Sequence, residues 1–420
     1  MTTVVRETDT DRWRELLPAG GRFVALPSRQ QPVLVAGLDT QVLGYVRTAL
    51  LAAPPRSTVP DWAFGAARQA LRVSALWRLA PRLVATGAHA PDATLARLVA
   101  AHGSRLLVLR HSHDPDARTL LLLFDPGRRW PSRAVKLPAG PEAADRVRAE
   151  ASRLRTLGAL PLGALRTTVP ELVAQPDHGG LPALVTTALP GTPMLVAYHR
   201  LGHTSRPTAV RADFAAVEAW LASFQSATSS ATGPLDVAPG LVDTFERRFS
   251  DDSADGPWRI EQLLALRRRL RRHRAARTAS HGDLWPGNLL IAHGRVSGVV
   301  DWERLEPVGS PTRDLARFPV SYSHYLDRHT PPGAPVKGHH GLIAGDPAAA
   351  VAYALDGSGW YPDLVRAHLA RGLARLGLPA ACGRDAALAE VAALAAEATD
   401  DDFARRQLRV FDRLSGREPP

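Results

Sequence analysis

The chain has 420 residues, of which 45% are apolar and 22% charged, with one cysteine and a formal net charge of +11 at pH 7. This length predicts two or three domains with a proper hydrophobic core, and the composition excludes an intrinsically disordered chain. The single Cys382 cannot form an internal disulfide or a cysteine-based zinc site, and no apolar run is long enough to span a membrane. The polar N-terminus lacks a signal-peptide pattern, so we expect a cytoplasmic protein without a membrane span.

Lysine is rare in this chain. Only Lys136 and Lys337 are lysines among the 52 basic residues, and the others are arginines. Together with the abundant alanine, proline and glycine, this preference indicates codon bias in a GC-rich genome more than a polyanionic partner. Each lysine is therefore a candidate functional residue.

Residues 1–95 carry no recognisable chemistry. The pattern predicts strands at residues 23–27 and 32–37 and helices at residues 40–52 and 62–85, separated by proline-rich turns. We interpret this region as an N-terminal extension of unknown role, either a small α/β appendage or a cap on the next domain.

Residues 96–190 have a different periodicity. Short turns join predicted strands at residues 105–110, 119–124 and 133–137, as in an antiparallel meander. A helix follows from residue 141 to about residue 157, with proline near its start and Gly158 beyond its end, and strands are predicted at residues 170–174 and 184–188. We expect a small β-rich lobe.

Residues 191–420 are predicted to be mostly helical. The helices are expected at residues 212–227, 258–274, 362–376 and 385–414, with a short strand at residues 295–300. The fold class is therefore α+β, with a small antiparallel sheet lobe, a larger helical lobe and an N-terminal extension.

The most informative stretch, SHGDLWPGNLLIAHGRVSGVVDWERLEPVGSPTRD, runs from residue 280 to residue 314. It holds Asp283 and Asn288 on one loop and Asp301 after a predicted strand. Phosphoryl transfer needs such groups, because one carboxylate accepts the proton of the attacking hydroxyl while a second carboxylate and an amide oxygen bind Mg²⁺. Protein kinases place their base, amide and metal-binding aspartate in the same order.

Lys136 lies on the third strand of the meander, where a kinase lysine contacts the α- and β-phosphates. Glu150 follows inside the next helix and is placed to pair with Lys136. Glu142 is a rival partner, although its position in the first helical turn also suits the helix dipole.

On these residues the chain resembles the aminoglycoside phosphotransferase and choline kinase-like family, which has a protein kinase-like fold. HGDLWPGN, VVDWE, DLARF and ALPG all match the family pattern, and the resemblance covers about residues 100–400. It implies an ATP- and Mg²⁺-dependent kinase that acts on a small-molecule hydroxyl, with GTP as the other possible donor. The implied roles are a base (Asp283), metal ligands (Asn288, Asp301), phosphate-positioning residues (Lys136, Glu150), adenine-contacting backbone (Thr187, Ala188, Leu189) and a residue that supports the loop (Asp314).

Two features depart from the family pattern, and the second bears on the acceptor. The turn HSHDPDAR between the first two meander strands has no glycine, whereas protein kinases have a glycine-rich loop there. The predicted helix at residues 212–227 ends in WLASFQSAT, where many relatives carry Leu-His. We expect a sugar, amino alcohol, aminoglycoside-like or glycan-related acceptor and favour a metabolic or polysaccharide-related hydroxyl over an antibiotic.

Several features have alternative interpretations. We expect His281 to pack beneath the loop rather than act as a metal ligand or base. Trp285 and Trp302 either pack the loop or face a substrate ring. His102, His339 and their neighbouring histidines are predicted to be surface residues, because they lack acidic partners at ligand spacing.

The basic run at residues 266–277 is predicted to be a solvated helix face. An anionic acceptor, a membrane surface or a nucleic acid would be its functional partners, and nucleic acid is the least favoured. The alternative to an enzyme is a nucleotide-binding pseudokinase scaffold. The presence of Lys136, Asp283, Asn288 and Asp301 together argues against it. The oligomeric state is left open.

Overall fold

The computed structural model describes residues 12–18, 20–26, 32–50, 82–84, 93–110, 118–250 and 255–417. The strands are β1 (Arg22–Leu26), β2 (Leu34–Gly37), β3 (Arg82–Val84), β4 (Leu106–Arg110), β5 (Arg118–Leu123), β6 (Arg133–Pro138), β7 (Leu172–Ala174), β8 (Asp177–His178), β9 (Leu181–Pro182), β10 (Leu184–Thr187), β11 (Thr192–Pro193), β12 (Thr232–Pro234), β13 (Arg274–Ala276), β14 (Thr278–Ser280), β15 (Leu289–Ala292), β16 (Arg295–Val299) and β17 (Glu306–Gly309).

The described helices are α1 (Arg12–Glu15), α2 (Thr40–Tyr45), α3 (Ala93–His102), α4 (Pro141–Ala159), α5 (Met194–Tyr198), α6 (Pro207–Ala227), α7 (Leu241–Phe249), α8 (Gly256–Leu270), α9 (Arg313–Ser323), α10 (Ala349–Asp356), α11 (Trp360–Arg375), α12 (Cys382–Glu397) and α13 (Asp401–Leu414). A π-helical turn continues α2 over Val46–Leu50, and 3₁₀ turns cover Gly163–Thr168 and Pro286–Asn288.

Among the described residues, eight strands form one antiparallel sheet in the order β3-β1-β2-β4-β5-β6-β10-β7. The predicted meander is β4-β5-β6. Strands β1, β2 and β3 continue the same sheet on one side, so the described strands of the first 95 residues extend the small lobe.

Both faces of this sheet are covered. Val108 and Leu121 belong to one core with Leu95 of α3 on one face, while Leu107 and Leu122 contribute to a second core with Val42 of α2 on the other. Burial on both sides explains why β4 and β5 are continuous apolar runs rather than alternating patterns.

One expectation about the N-terminal region is wrong. The helix expected at residues 62–85 lies mostly outside the described residues, but residues 82–84 form strand β3 instead of a helix. Leu83 of β3 pairs with Phe23 of β1. Pro81 precedes this strand in the sequence, and proline removes a backbone donor that a continuing helix needs.

The larger lobe is helical, and one continuous core joins its elements. Its largest fully buried side chains include Phe214 of α6, Phe318 of α9, Tyr361 of α11 and Phe411 of α13. The expected α+β fold with a sheet lobe and a helical lobe is therefore confirmed.

Two predicted helices of this lobe have different boundaries. The helix expected at residues 258–274 ends at Leu270, and Arg274–Ala276 forms strand β13 paired with β12. The helix expected at residues 385–414 is two helices, α12 and α13. Asp400 separates them, because its side chain accepts a hydrogen bond from the Phe403 N–H over 2.5 Å and caps the start of α13.

Candidate active site

A cleft of about 340 Å³ brings together residues that are far apart in the sequence. Asp283, Asn288 and Asp301 all line it. Strand β14 leads into the loop that carries Asp283 and Asn288, and the hairpin β15–β16 leads to Asp301. The hairpin and the loop thus bring the predicted acids to one cleft.

Lys136 of β6 connects two carboxylates across the lobes. Its Nζ lies 2.6 and 2.7 Å from the two carboxylate oxygens of Glu150 in α4 and 2.8 Å from Oδ1 of Asp301. The Glu150 side chain is only 2% exposed. Glu142 is exposed in the first turn of α4, so Glu150 is the glutamate that pairs with Lys136.

Asp301 combines an unusual backbone with a strongly stabilised charge. Its φ of 68° lies in the left-handed region, which is uncommon outside glycine and is frequent at functional sites. Burial by itself raises the pKa of Asp301, but the attraction of Lys136 and Arg118 outweighs burial and holds the pKa well below its usual range. Asp301 therefore stays ionised at neutral pH.

The pKa of Glu150 moves in the opposite direction. Burial raises the pKa of Glu150 and outweighs the pull of Lys136, while the negative charge of Asp301 adds to the rise. Of the two carboxylates that Lys136 contacts, Asp301 is thus the one whose ionised form is stabilised more strongly.

The loop before Asp283 is held from beneath by Asp314 of α9. The two carboxylate oxygens of Asp314 accept hydrogen bonds from the backbone N–H groups of His281 and Gly282, over 2.6 and 2.9 Å. The His281 ring is fully buried, lies 2.9 Å from the Val300 carbonyl through Nε2 and packs edge-on against Trp302. These contacts fix the backbone on both sides of the loop.

Asp283 is bound on both sides of its carboxylate. Arg317 of α9 donates to Oδ1 over 2.6 Å, and the Asn288 amide nitrogen lies 3.3 Å from Oδ2 and 3.0 Å from the Asp283 carbonyl. Burial alone raises the pKa of Asp283, but the Arg317 guanidinium outweighs burial and lowers it. Asp283 is therefore an oriented, ionised carboxylate.

The donor set at this cleft suits a magnesium ion. The Asn288 amide nitrogen is occupied by Asp283, which leaves the amide oxygen for a cation, and Asp301 supplies an ionised carboxylate. Mg²⁺ binds such hard oxygen ligands and keeps several positions for water and phosphate. In the described part of the chain, no group of three or more His, Cys, Asp or Glu side chains could hold a metal. A site with two protein ligands is consistent with that finding.

Thr187, Ala188 and Leu189 lie where β10 leaves the sheet toward the helical lobe. The N–H groups of Thr187 and Ala188 donate to the carbonyls of Glu171 and Ser132, each over 3.0 Å. A base bound here would therefore be recognised by other backbone groups of the three residues.

The structure adds charged residues that sequence reasoning missed. Arg118 of β5 and Glu303 contact each other beside Asp301, and Arg317 contacts both Asp283 and the buried Glu390. Glu303 and Arg317 lie inside the motifs VVDWE and DLARF, so those motifs could have indicated them. Nothing in the sequence distinguishes Arg118 from the many other arginines.

The tryptophans of the motif have separate positions. Trp302 is fully buried, whereas Trp285 lines the cleft.

The expectation that His102 and His339 are surface residues is wrong, because both are buried: His102 Nδ1 lies 2.7 Å from the Leu98 carbonyl, and His339 Nε2 lies 2.9 Å from the Thr204 carbonyl. The expectation failed because the lack of acidic partners at ligand spacing does not determine whether a histidine is buried.

Most arginines of the basic run are exposed, as expected for a solvated surface, but the run is not one helix face. Arg267 binds Asp236 through two hydrogen bonds, Arg269 binds Asp385 in the same way, and the helix ends before the run does.

No helix in the part of the chain that the structure describes is long and apolar enough to cross a bilayer.

Comparison with known proteins identifies the family of this chain. The model of the phosphotransferase enzyme family, APH, matches residues 108–334, which is more than half of the chain. The chain belongs to this family, and the resemblance seen in its motifs is confirmed. The protein is therefore an enzyme of the phosphotransferase class. No curated protein sequence matches the chain.

Solved structures similar to this chain include three phosphotransferases. A thermostable mutant of aminoglycoside phosphotransferase APH(4)-Ia is 14% identical, with a TM-score of 0.46 over 73% of this chain and 93% of that chain. The streptomycin–ATP–APH(2")-IIa ternary complex is 14% identical, with a TM-score of 0.43 over 78% and 97%. Macrolide 2'-phosphotransferase MphH from Brachybacterium faecium is 17% identical, with a TM-score of 0.41 over 78% and 99%.

Proposed function

We propose that this enzyme transfers the γ-phosphoryl group of ATP to a hydroxyl of a small molecule in the presence of Mg²⁺. The observation that supports the proposal is the contact of Lys136 with both Glu150 and Asp301 at the cleft that also holds Asp283. An enzyme that transfers a phosphoryl group needs three things in one cleft: a cation that binds the phosphates of the donor, a metal site and an oriented carboxylate.

Lys136 is the cation that would bind the nucleotide phosphates. Glu150 holds its ammonium with both carboxylate oxygens, which restricts the position of the long lysine side chain. Asn288 and Asp301 would hold the Mg²⁺, which when bound neutralises charge on the phosphates. When Asp301 binds a cation, Lys136 loses one partner and can contact phosphate.

Asp283 would orient the acceptor hydroxyl and receive its proton. A carboxylate with a lowered pKa is a weak base, so early proton abstraction is not its contribution. Phosphoryl transfer passes through a loose transition state in which positioning matters more than base strength. The contacts of Asp283 with Arg317 and Asn288 supply that positioning.

The nucleotide base would lie against the segment of Thr187, Ala188 and Leu189. Because the N–H groups of Thr187 and Ala188 donate within the protein, other backbone groups of this segment would distinguish ATP from GTP. We place the reaction in the cytoplasm, since the free thiol of the single Cys382 fits a reducing compartment.

The acceptor would occupy the part of the cleft beyond Asp283. Trp285, Tyr325 and Phe403 supply aromatic surface there, and Glu397 and Asp400 supply carboxylates. Aromatic faces with a few polar groups suit a ring-shaped polyhydroxyl compound such as a sugar or a glycan precursor. Amino alcohols and aminoglycoside-like compounds fit the same description less specifically.

Calorimetric titration with ATP, with and without Mg²⁺, tests the proposal on the wild type and on Asp301→Asn. We expect Mg²⁺ to strengthen ATP binding to the wild type and to have little effect on the variant. Asp145→Asn, which removes an exposed carboxylate from α4, is the matched control and should behave as the wild type. A screen of hydroxyl compounds for ADP release then identifies the acceptor.

Asp283→Asn separates binding from chemistry. It should bind Mg-ATP as well as the wild type does and release no ADP with the identified acceptor. If the folded wild type binds neither ATP nor GTP, the proposal is wrong.

A further inference from the structure

Arg118 and Lys136 occupy the same face of the sheet. In the pairing of β5 with β6, Leu120 lies opposite Lys136 and Arg118 lies opposite Pro138. Paired residues point to the same face, and Arg118 is thus a diagonal neighbour of Lys136, within reach for long side chains. Both cations project toward the carboxylates of the cleft.

The Arg118 guanidinium lies among three carboxylates. Its Nη1 atom is 2.6 Å from Glu303 Oε2, 3.6 Å from Glu150 Oε2 and 3.7 Å from Asp301 Oδ1. Glu150 and Asp301 are already held by Lys136 at 2.6 and 2.8 Å. Of the three carboxylates, Glu303 is therefore the one that Arg118 contacts closely and does not share with Lys136.

We propose that Arg118 is a second phosphate-binding cation of the nucleotide site and exchanges Glu303 for a phosphate oxygen when the nucleotide binds. The inference rests on the proposed function. The cluster of these two cations and three carboxylates has a net negative charge. A bound Mg²⁺ would offset that negative charge. Charged phosphates entering beside Asp301 would meet the guanidinium of Arg118 as well as the ammonium of Lys136.

The exchange is physically favourable for two reasons. A guanidinium forms paired hydrogen bonds with phosphate, whereas the structure gives Arg118 a single short contact with Glu303. The Glu303 side chain is 20% exposed, so water can solvate its carboxylate after release. Glu150 could not be released in this way, because its side chain is 2% exposed.

The alternative role is structural, with the Arg118–Glu303 ion pair joining the sheet lobe to the segment after Asp301. The two roles predict different responses to Glu303→Gln. If the ion pair is only structural, removing either partner weakens the binding of every nucleotide equally. If Glu303 competes with phosphate, its removal strengthens Mg-ATP binding.

Calorimetric titration of Arg118→Gln, Arg118→Lys and Glu303→Gln with Mg-ATP and with adenosine distinguishes them. We expect Arg118→Gln to weaken Mg-ATP binding by roughly 10- to 100-fold, the range for charge-assisted hydrogen bonds, with adenosine affected less than about twofold. Arg118→Lys should recover part of the loss, and Glu303→Gln should bind Mg-ATP more tightly than the wild type.

Arg105→Gln is the matched control. Arg105 precedes β4 at the end of the sheet remote from Arg118 and donates to the Phe124 carbonyl, so its loss should leave both affinities unchanged. Equal weakening of Mg-ATP and adenosine in Arg118→Gln overturns the inference, as does unchanged Mg-ATP binding. In both cases, wild-type Mg-ATP binding that is lost in Lys136→Ala, together with ADP release by the wild type, shows that the proposed function stands. Absence of wild-type binding overturns the proposed function and this inference together.

Discussion

Arg317 donates a hydrogen bond to Asp283 over 2.6 Å from a side chain that is only 3% exposed. It lies on α9 three residues after Asp314, whose carboxylate holds the backbone N–H groups of His281 and Gly282. Residues three apart share one face of a helix. A single helix face therefore fixes both the backbone of the loop and the carboxylate that the loop presents.

The first prediction concerns Arg317→Met. Without the guanidinium, Asp283 loses its fixed orientation and its lowered pKa, and displacements of about 1 Å cost on the order of 100-fold in rate. We expect kcat to fall by roughly 10- to 100-fold with little change in the KM for ATP, measured by ADP release with the identified acceptor.

Arg366→Met is the control for that experiment, because Arg366 forms an exposed ion pair with Asp363 on α11. It should keep wild-type kcat. An Arg317→Met enzyme with wild-type kcat would show that Asp283 is positioned by the loop alone.

The second prediction concerns Glu390 of α12, whose carboxyl faces Arg313, Arg317 and Asp314 of α9 and Glu306 of β17. Burial raises the pKa of Glu390 to about 7 against the lowering effect of Arg313 and Arg317. Between about pH 4.5 and pH 7 the folded protein holds a proton that the unfolded chain has lost. The unfolding free energy contributed by this group therefore falls as the pH rises through that window.

Glu390→Gln removes this dependence because glutamine does not titrate. Compared with the wild type, the variant should gain on the order of 3 kcal/mol in unfolding free energy between pH 4.5 and pH 8, measured by urea denaturation. Glu142→Gln controls for the loss of one exposed carboxylate. A difference between Glu390→Gln and wild type that stays constant with pH would contradict a titrating Glu390.

The third prediction compares two glycines with positive φ. Gly282 has a φ of 81°, and a Cβ there would lie 2.4 Å from the Arg304 carbonyl oxygen. Gly294, in the turn between β15 and β16, has a φ of 72° and no atom within 4 Å of such a Cβ. Alanine should cost about 1–2 kcal/mol of stability at Gly294, which needs the left-handed conformation, and more at Gly282, where the Cβ also meets a backbone oxygen.

Only Gly282→Ala should also lose activity, by more than about 100-fold, because the clash with Arg304 displaces the neighbouring Asp283. Urea denaturation and ADP release on both variants test this difference. Equal activity in the two variants would mean that the loop tolerates displacement.

Much of the fold could be predicted from local pattern. The strands that became β4, β5 and β6 and the helix that became α4 follow from apolar runs, turn residues and the proline at the start of α4. The predicted single helix at residues 385–414 was wrong, because Asp400 can cap a helix or lie within one and tertiary packing decides between the two.

The candidate site divides in the same way. The spacing within residues 280–314 and the rarity of lysine indicated Asp283, Asn288, Asp301 and Lys136. Arg118 could not be selected, because its sequence neighbours do not differ from those of other strand arginines. Its position beside Glu303 depends on the packing of the sheet lobe against a segment 185 residues further along the chain.

The sequence by itself determined which chemical groups are present, the order in which they occur and the elements that carry them, because periodicity and motif spacing are local properties. Only the tertiary structure decided which charges meet. Contacts such as Arg317 with Asp283 join residues 34 apart in sequence, and Lys136 with Asp301 joins residues 165 apart. Their strength depends on burial and distance, which the folded chain alone sets.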